Sequence, residues 1–128
     1  MNQKTIPPEF EKLLHQAKEL IRSDPSAEQV ITVLTSGGHV LSFANHNIVS
    51  GETADEEAFI QTLAESKDTE IQYAICMWND SALDVPSRYL QNLLISLSPA
   101  NQKAEFLLSS SESFIVKPLC SMSPCAKL

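Results

Sequence analysis

Glu56 is a side chain able to move a proton, and it stands in Thr53-Ala54-Asp55-Glu56-Glu57-Ala58, where an apolar run of helical spacing begins. About thirty positions later Val85-Pro86-Ser87-Arg88-Tyr89-Leu90 opens a second such run. A carboxylate at a helix start can accept and return a proton. It can equally serve its own helix. Thr53-x-x-Glu56 is a capping box, in which the hydroxyl accepts from one free backbone amide and the Glu reaches back to another. Asp55, Glu56 and Glu57 also set negative charge against the positive end of the helix macrodipole. Just upstream, Asn45-His46-Asn47 offers two amides suited to sugar hydroxyls or the polar edge of a base, with His46 between them. The alternative for Asn45 and Asn47 is a turn made through the side chain after a strand. His15 is expected on a helix surface and His39 exposed on a strand, neither with a sequence partner that suggests catalysis.

The three cysteines, Cys76, Cys120 and Cys125, contain no C-x-x-C pair of the zinc type. Cys76 lies in an apolar run and reads as an inert core residue. Cys120 and Cys125 lie among Ser and Pro near the end of the chain and read as a reduced pair.

These residues need a scaffold, and 128 residues with 43% hydrophobic side chains can build one core. One domain over 1–128 is expected, with 1–8 and 117–128 as peripheral tails. No stretch approaches the roughly 18 apolar residues of a membrane span, and the first residues lack a signal-like apolar run, so a cytoplasmic protein is expected. The formal charge is -7 and the nine Lys and Arg do not cluster, which argues against a nucleic-acid partner. A small neutral ligand or another protein suits this balance better.

Phe10, Leu13, Leu14, Ala17, Leu20 and Ile21 recur at helical spacing between Pro7-Pro8 and Ser23-Asp24-Pro25. Gln29 to Thr35 is β-branched, Ser36-Gly37-Gly38 turns, and His39 to Ala44 returns as an antiparallel partner. Thr53 to Ser66 follows as a helix with Ala58, Phe59, Leu63 and Ile60 inward, then a strand from Glu70 to Trp78. Pro86 opens a helix to Leu97 with Tyr89, Leu90, Leu93, Leu94 and Leu97 on one stripe. Ala104 to Leu108 is a strand, Ser109-Ser110-Ser111 a turn, and Phe114 to Val116 a last short strand. Strands alternating with helices after a hairpin imply crossovers and partly parallel pairing. The starts at Thr53 and Pro86 would then meet at the carboxyl ends of neighbouring strands, where open α/β sheets form a crevice.

In order and spacing the two segments resemble the half-motifs of the cytidine deaminase family, and the spacing is most similar to that of blasticidin S deaminases and cytidine deaminases. There the first half-motif is Cys or His, then Ala, then Glu, and the second is Pro-Cys-x-x-Cys. Together they supply three ligands for one Zn²⁺ and a Glu that shuttles protons. Laid on this sequence, the three ligand positions fall on Ala54, Ser87 and Leu90, and Glu56 alone remains. Asn45 falls where the family's sugar-contacting Asn stands. The element order from about Phe10 to Val116 is similar too. The resemblance implies a three-layer α/β/α sandwich around a mixed five-stranded sheet, and assembly as a dimer or tetramer.

It also implies a metal that these residues do not support. Ala54 and Leu90 offer no donor atom, and Ser87 only a weak, protonated oxygen, so no tetrahedral zinc is expected and no other cofactor is indicated. Asp55, Glu56 and His46 lie near in sequence without forming a metal motif. Val30-Ile31-Thr32-Val33 replaces the small residues the family usually carries beneath its substrate, which narrows the cavity. Tyr73 and Trp78 read as core residues of a central strand, and Arg88, a cation at a helix start, suggests an acidic partner such as Glu52 or Glu57. Three functions follow. The first is an inactive, zinc-free protein binding a nucleoside-like ligand through Asn45, Asn47 and Glu56. The second is an interaction protein whose pocket is filled by Ile31, Val33 and Leu90. The third is a hydrolase of the cytidine or blasticidin S deaminase class with a non-standard metal site.

Overall fold

The computed structural model describes residues 6–46, 48, 51–109 and 113–121. Helix α1 (Pro8–Ser23) leads into strands β1 (Gln29–Thr35) and β2 (Val40–Asn45). Then come α2 (Ala54–Ser66), β3 (Ile71–Trp78), α3 (Arg88–Leu97), a short 3₁₀ turn, β4 (Glu105–Ser109) and β5 (Phe114–Pro118). The strands form one sheet in the order β2-β1-β3-β4-β5. β3 and β4 are parallel and every other neighbouring pair is antiparallel, so the sheet is mixed, as expected.

Side-chain alternation sorts the core into two layers. Val30, Ile75, Met77 and Leu107 face α1 through Phe10, Leu13 and Ala17. Ile31, Val33, Ala74, Cys76, Phe106 and Leu108 face the other way, onto Phe59 and Leu63 of α2 and Leu90 and Leu94 of α3. β1 lies between β2 and β3 and is buried on both faces apart from Leu34, which explains why its sequence is a continuous β-branched run rather than an alternating one. Phe43 of β2 stacks on Phe59 at 4.4 Å between ring centroids and pins α2 to that end of the sheet. Cys76 is fully buried, and burial pushes its thiol well above the ordinary range, as an inert core cysteine requires.

The β1–β2 hairpin is fastened by Asp68, which lies in the link from α2 to β3. Its carboxylate accepts from the Thr35 hydroxyl and from the Gly37 amide (3.2 Å), and its Oδ2 lies 2.5 Å from His39 Nδ1. A Cβ at Gly37 would sit 2.5 Å from Asp68 Oδ2, so glycine is needed there for close approach, while Gly38 at φ +91° makes the turn.

Helix phase departs from expectation at two places. In α2 the inward positions are Glu56, Phe59 and Leu63, and Ala58 faces solvent, because at 3.6 residues per turn it points about 100° or more away from each residue of that stripe. In α3 the buried stripe is Leu90, Gln91 and Leu94, which turns Tyr89 outward to 40% exposure. Tyr73 and Trp78, expected in the core, are half-buried; Tyr73 packs edge-on against Phe10. β5 runs through Lys117 and Pro118, and Leu119 is buried, so ordered structure extends into the segment expected as a tail. Ser110, Ser111 and Cys125 lie outside the described residues.

Candidate functional site

β2 and β3 both run antiparallel to β1, so they are parallel to one another and flank it. Their carboxyl ends, Asn45 and Trp78, pair on either side of Gln29, the first residue of β1. The expected meeting of strand ends therefore has a third strand in the middle. α2 starts beyond β2 and α3 beyond β3, which brings Thr53–Glu57 and Pro86–Leu90 together there.

Ser87 organises the start of α3. With extended backbone (φ -58°, ψ 153°) it is the N-cap, its Oγ accepting from Leu90 N at 3.0 Å, so the helix opens at Arg88 rather than at Pro86. The same hydroxyl donates to Glu56 Oε2 at 2.6 Å, a charge-assisted bond to a carboxylate left only 4% exposed. This overturns the capping box: Thr53 makes no cap bond, and Glu56 turns away from its own helix toward the neighbouring one. Burial of the 56-59-63 stripe carries the carboxyl inward, to the Ser87 hydroxyl.

Glu57 takes the outward direction. Its Oε2 accepts from Tyr89 OH at 2.6 Å and from Thr53 Oγ1 at 3.0 Å. Those bonds, Tyr89 first, hold the Glu57 carboxyl below its usual range, while the Glu57 carboxylate raises the Tyr89 phenol. Arg88 therefore does not find Glu57, and among the described residues it has no ion-pair partner.

His46 is clamped. Its Nε2 lies 2.7 Å from Asp24 Oδ2, beyond the end of α1, and its Nδ1 lies 3.0 Å from Asp55 Oδ2 in the first turn of α2. Its backbone N–H donates to the same Asp55 oxygen at 2.8 Å. Both ring nitrogens can donate only as the imidazolium. The hydrogen bond to Asp24, then that to Asp55, raises the His46 pKa, and Asp24 is lowered, first by its bond from Ser26 and then by His46. Asn45 is buried at the end of β2, where its carbonyl accepts from Glu28 N at 2.9 Å. Asn47 lies outside the described residues.

Ala54 is exposed, and Leu90, with no accessible surface, is a core residue in one cluster with Ile31 and Val33. Ala54, Ser87 and Leu90 therefore do not fit a zinc ion: two lack donor atoms, and the third directs its oxygen to Glu56 and a backbone amide. Asp55, Glu56 and His46 do not replace them, because His46 and Asp55 bond one another and Glu56 bonds Ser87. Among the described residues no group of three His, Cys, Asp or Glu side chains could hold a metal.

Beside this closed spot is a crevice of about 350 Å³, lined by Gln29, Ile48, Trp78 and Val85 together with Pro86, Ser87, Arg88 and Gln91. Trp78 lines it with its indole Nε1 donating to Asp84 Oδ2 at 3.0 Å. Gln91 went unnoticed in the sequence. The signal was there: a Gln at helical spacing from both Ser87 and Leu94 belongs to the inward face of α3.

No protein-family model matches the chain, and no curated protein matches it in sequence. Solved structures do match. Cytidine deaminase from Mycobacterium leprae superposes with a TM-score of 0.69 at 10% identity, covering 92% of this chain and 99% of that one. Cytidine deaminase from Bacillus anthracis gives 0.66 at 17% identity over 90% and 87% of the two chains. The enzyme from Burkholderia pseudomallei gives 0.63 at 13% identity over 89% and 96%. At these identities the likeness establishes the fold: this chain has a cytidine deaminase-like α/β fold built on a mixed five-stranded sheet.

Proposed function

We propose that this chain is a catalytically inactive, zinc-free protein of cytidine deaminase-like fold, cytoplasmic, that binds a small nucleoside-like ligand in the crevice at the start of α3. The observation that carries the inactive part is the dual bond of Ser87. Zinc deamination needs a metal-bound water beside an acid that passes its proton to the substrate. Here the corresponding acid, Glu56, is buried and holds the Ser87 hydroxyl, and Leu90 lies in the core. The crevice next to them, at about 350 Å³, falls within the size range of small-molecule sites and supports the ligand. Because two aspartates hold His46, this reading assigns recognition to Gln29, Trp78 and the start of α3, which line the crevice.

The test is cytidine deamination by purified protein with zinc supplied, beside a Glu56→Gln variant. The expected outcome is no rate above buffer for either; a rate in the parent that Glu56→Gln abolishes would restore the hydrolase alternative. A second reading, action through a homo-oligomer (dimer or tetramer), is favoured by exposed apolar surface. Ile60, Ala64 and Leu93 line a groove of about 450 Å³ whose other walls are Glu57, Gln61 and Glu65 of α2, and Val85 and Tyr89 are exposed before and within α3. Sizing at several concentrations distinguishes it.

A further inference from the structure

β1 opens on a carboxamide where the next two positions on the same face are apolar. Gln29 begins the strand, and alternation puts its side chain on the face of Ile31 and Val33, toward α2 and α3. The neighbouring strands set Asn45 and Trp78 directly opposite it, so the three side chains share that face. Gln29 is 2% exposed and lines the crevice. Among the described residues its amide makes no hydrogen bond. Nor is that amide sealed as Gln91 Oε1 is, and the surface Gln29 keeps lies at the crevice wall.

An amide this deeply placed has given up its water, and no protein group replaces it. Buried polar groups without partners are uncommon, and an apolar side chain of the same shape would suit the fold as well or better. The other neutral polar groups of the wall are already committed. The Ser87 hydroxyl serves Glu56 and Leu90 N, and Gln91 Nε2 donates to Pro86 O at 2.8 Å. Trp78 gives its indole N–H to Asp84 Oδ2, so toward the crevice it offers ring surface and no donor. With the Pro86 ring it makes flat, apolar wall. Between these walls stands one uncommitted carboxamide, a donor and an acceptor side by side in a plane.

We infer that Gln29 is the specificity-determining residue of the crevice. The ligand it reads is a neutral planar ring with an N–H and a C=O adjacent to one another, an edge that pairs with both ends of the Gln29 amide. This rests on the reading above that the crevice binds a small ligand, and it names the edge by which that ligand is recognised.

Uridine and inosine carry such an edge, and 3-methyluridine and 1-methylinosine have its N–H blocked. Titration of the full chain with all four, followed by ligand-observed NMR, tests the inference. At least one of the first two is expected to bind, and about tenfold or more tightly than its methylated form, because the blocked ligand leaves the amide unpaired. Gln29→Met, which keeps the volume and removes the amide, should lower the unblocked ligand to the level of the blocked one and leave the blocked one unchanged. Equal binding of blocked and unblocked forms to the parent would overturn the role of Gln29 while leaving the crevice as a ligand site. A gap that persists in Gln29→Met would be steric and would overturn it equally. No binding of any of the four to the parent would overturn the ligand reading itself. The melting temperature of free Gln29→Met should equal or exceed the parent's, since an unpartnered amide has been removed; a clear fall would assign the amide to the fold instead.

Discussion

The starts of α2 and α3 lie side by side and handle charge in opposite ways. α3 is capped from within, by Ser87 on Leu90 N, and carries a cation, Arg88, where helices favour acids. α2 has no side-chain cap, yet its first turn holds three acids, and each is bonded to another element. Asp55 takes His46 at the end of β2, Glu56 takes Ser87, and Glu57 takes Tyr89 on α3. What looks in sequence like a solvated acidic turn is a three-way clasp. The difference teaches that the acids of a helix start can be bound wholly into structure when the neighbouring helix offers hydroxyls to them.

The comparison breaks most severely at Leu90. Leu90→Ala removes a fully buried side chain beneath the start of α3 and should cost about 2–5 kcal/mol in urea denaturation. Ser87→Ala is next: it deletes the cap, worth about 1 kcal/mol, and leaves a buried carboxylate without its donor, worth about 1–3 kcal/mol more. A double-mutant cycle with Glu56→Ala should recover the second part as coupling and leave the first. If Ser87→Ala costs no more than an ordinary cap, the bond across the two helices contributes nothing.

The clamp on His46 is expected to respond to pH. His46 is raised in the fold, so the stability it gives is fully present below its unfolded value near 6.5 and is lost as pH rises through the raised folded value. Asp24 is lowered, so its share is present above its ordinary 3.8 and is lost as pH falls through the lowered value. Melting temperature should therefore decline from neutral toward alkaline pH, and His46→Gln should flatten that decline. An unchanged profile in the variant would show that the clamp does not couple to folding. The smallest effect is expected at Thr53→Ala, below about 0.5 kcal/mol, because Thr53 caps nothing; a loss near 1 kcal/mol would reinstate the capping box.

The fold was largely legible. β1, read from Gln29 to Thr35, has those bounds, because its β-branched run ends at a Gly-Gly turn, and the amphipathic period of α1 left little choice. The two segments marked where two helices begin, but only the second, through Val85 to Arg88, lines the crevice, and Asn45, His46 and Glu56 are not among its lining residues. What periodicity left out was direction. Glu56 satisfies both a capping pattern and an inward stripe, and only the tertiary position of Ser87 decides between them. His46 stood next to two Asn residues, but its partners Asp24 and Asp55 come from different elements and have no sequence relation to it. Arg88 follows the same rule: Glu57, which its sequence position suggests as a partner, is taken by Tyr89 and Thr53, and spacing along a chain does not encode that.

The start of α3 holds a serine cap and a core leucine, and the proposed reading is that it binds no zinc. Elemental analysis of zinc in protein purified without chelator tests it most directly. The account predicts zinc far below stoichiometric, unchanged in Glu56→Gln; one zinc per chain, lost together with deaminase activity on chelation, would contradict it.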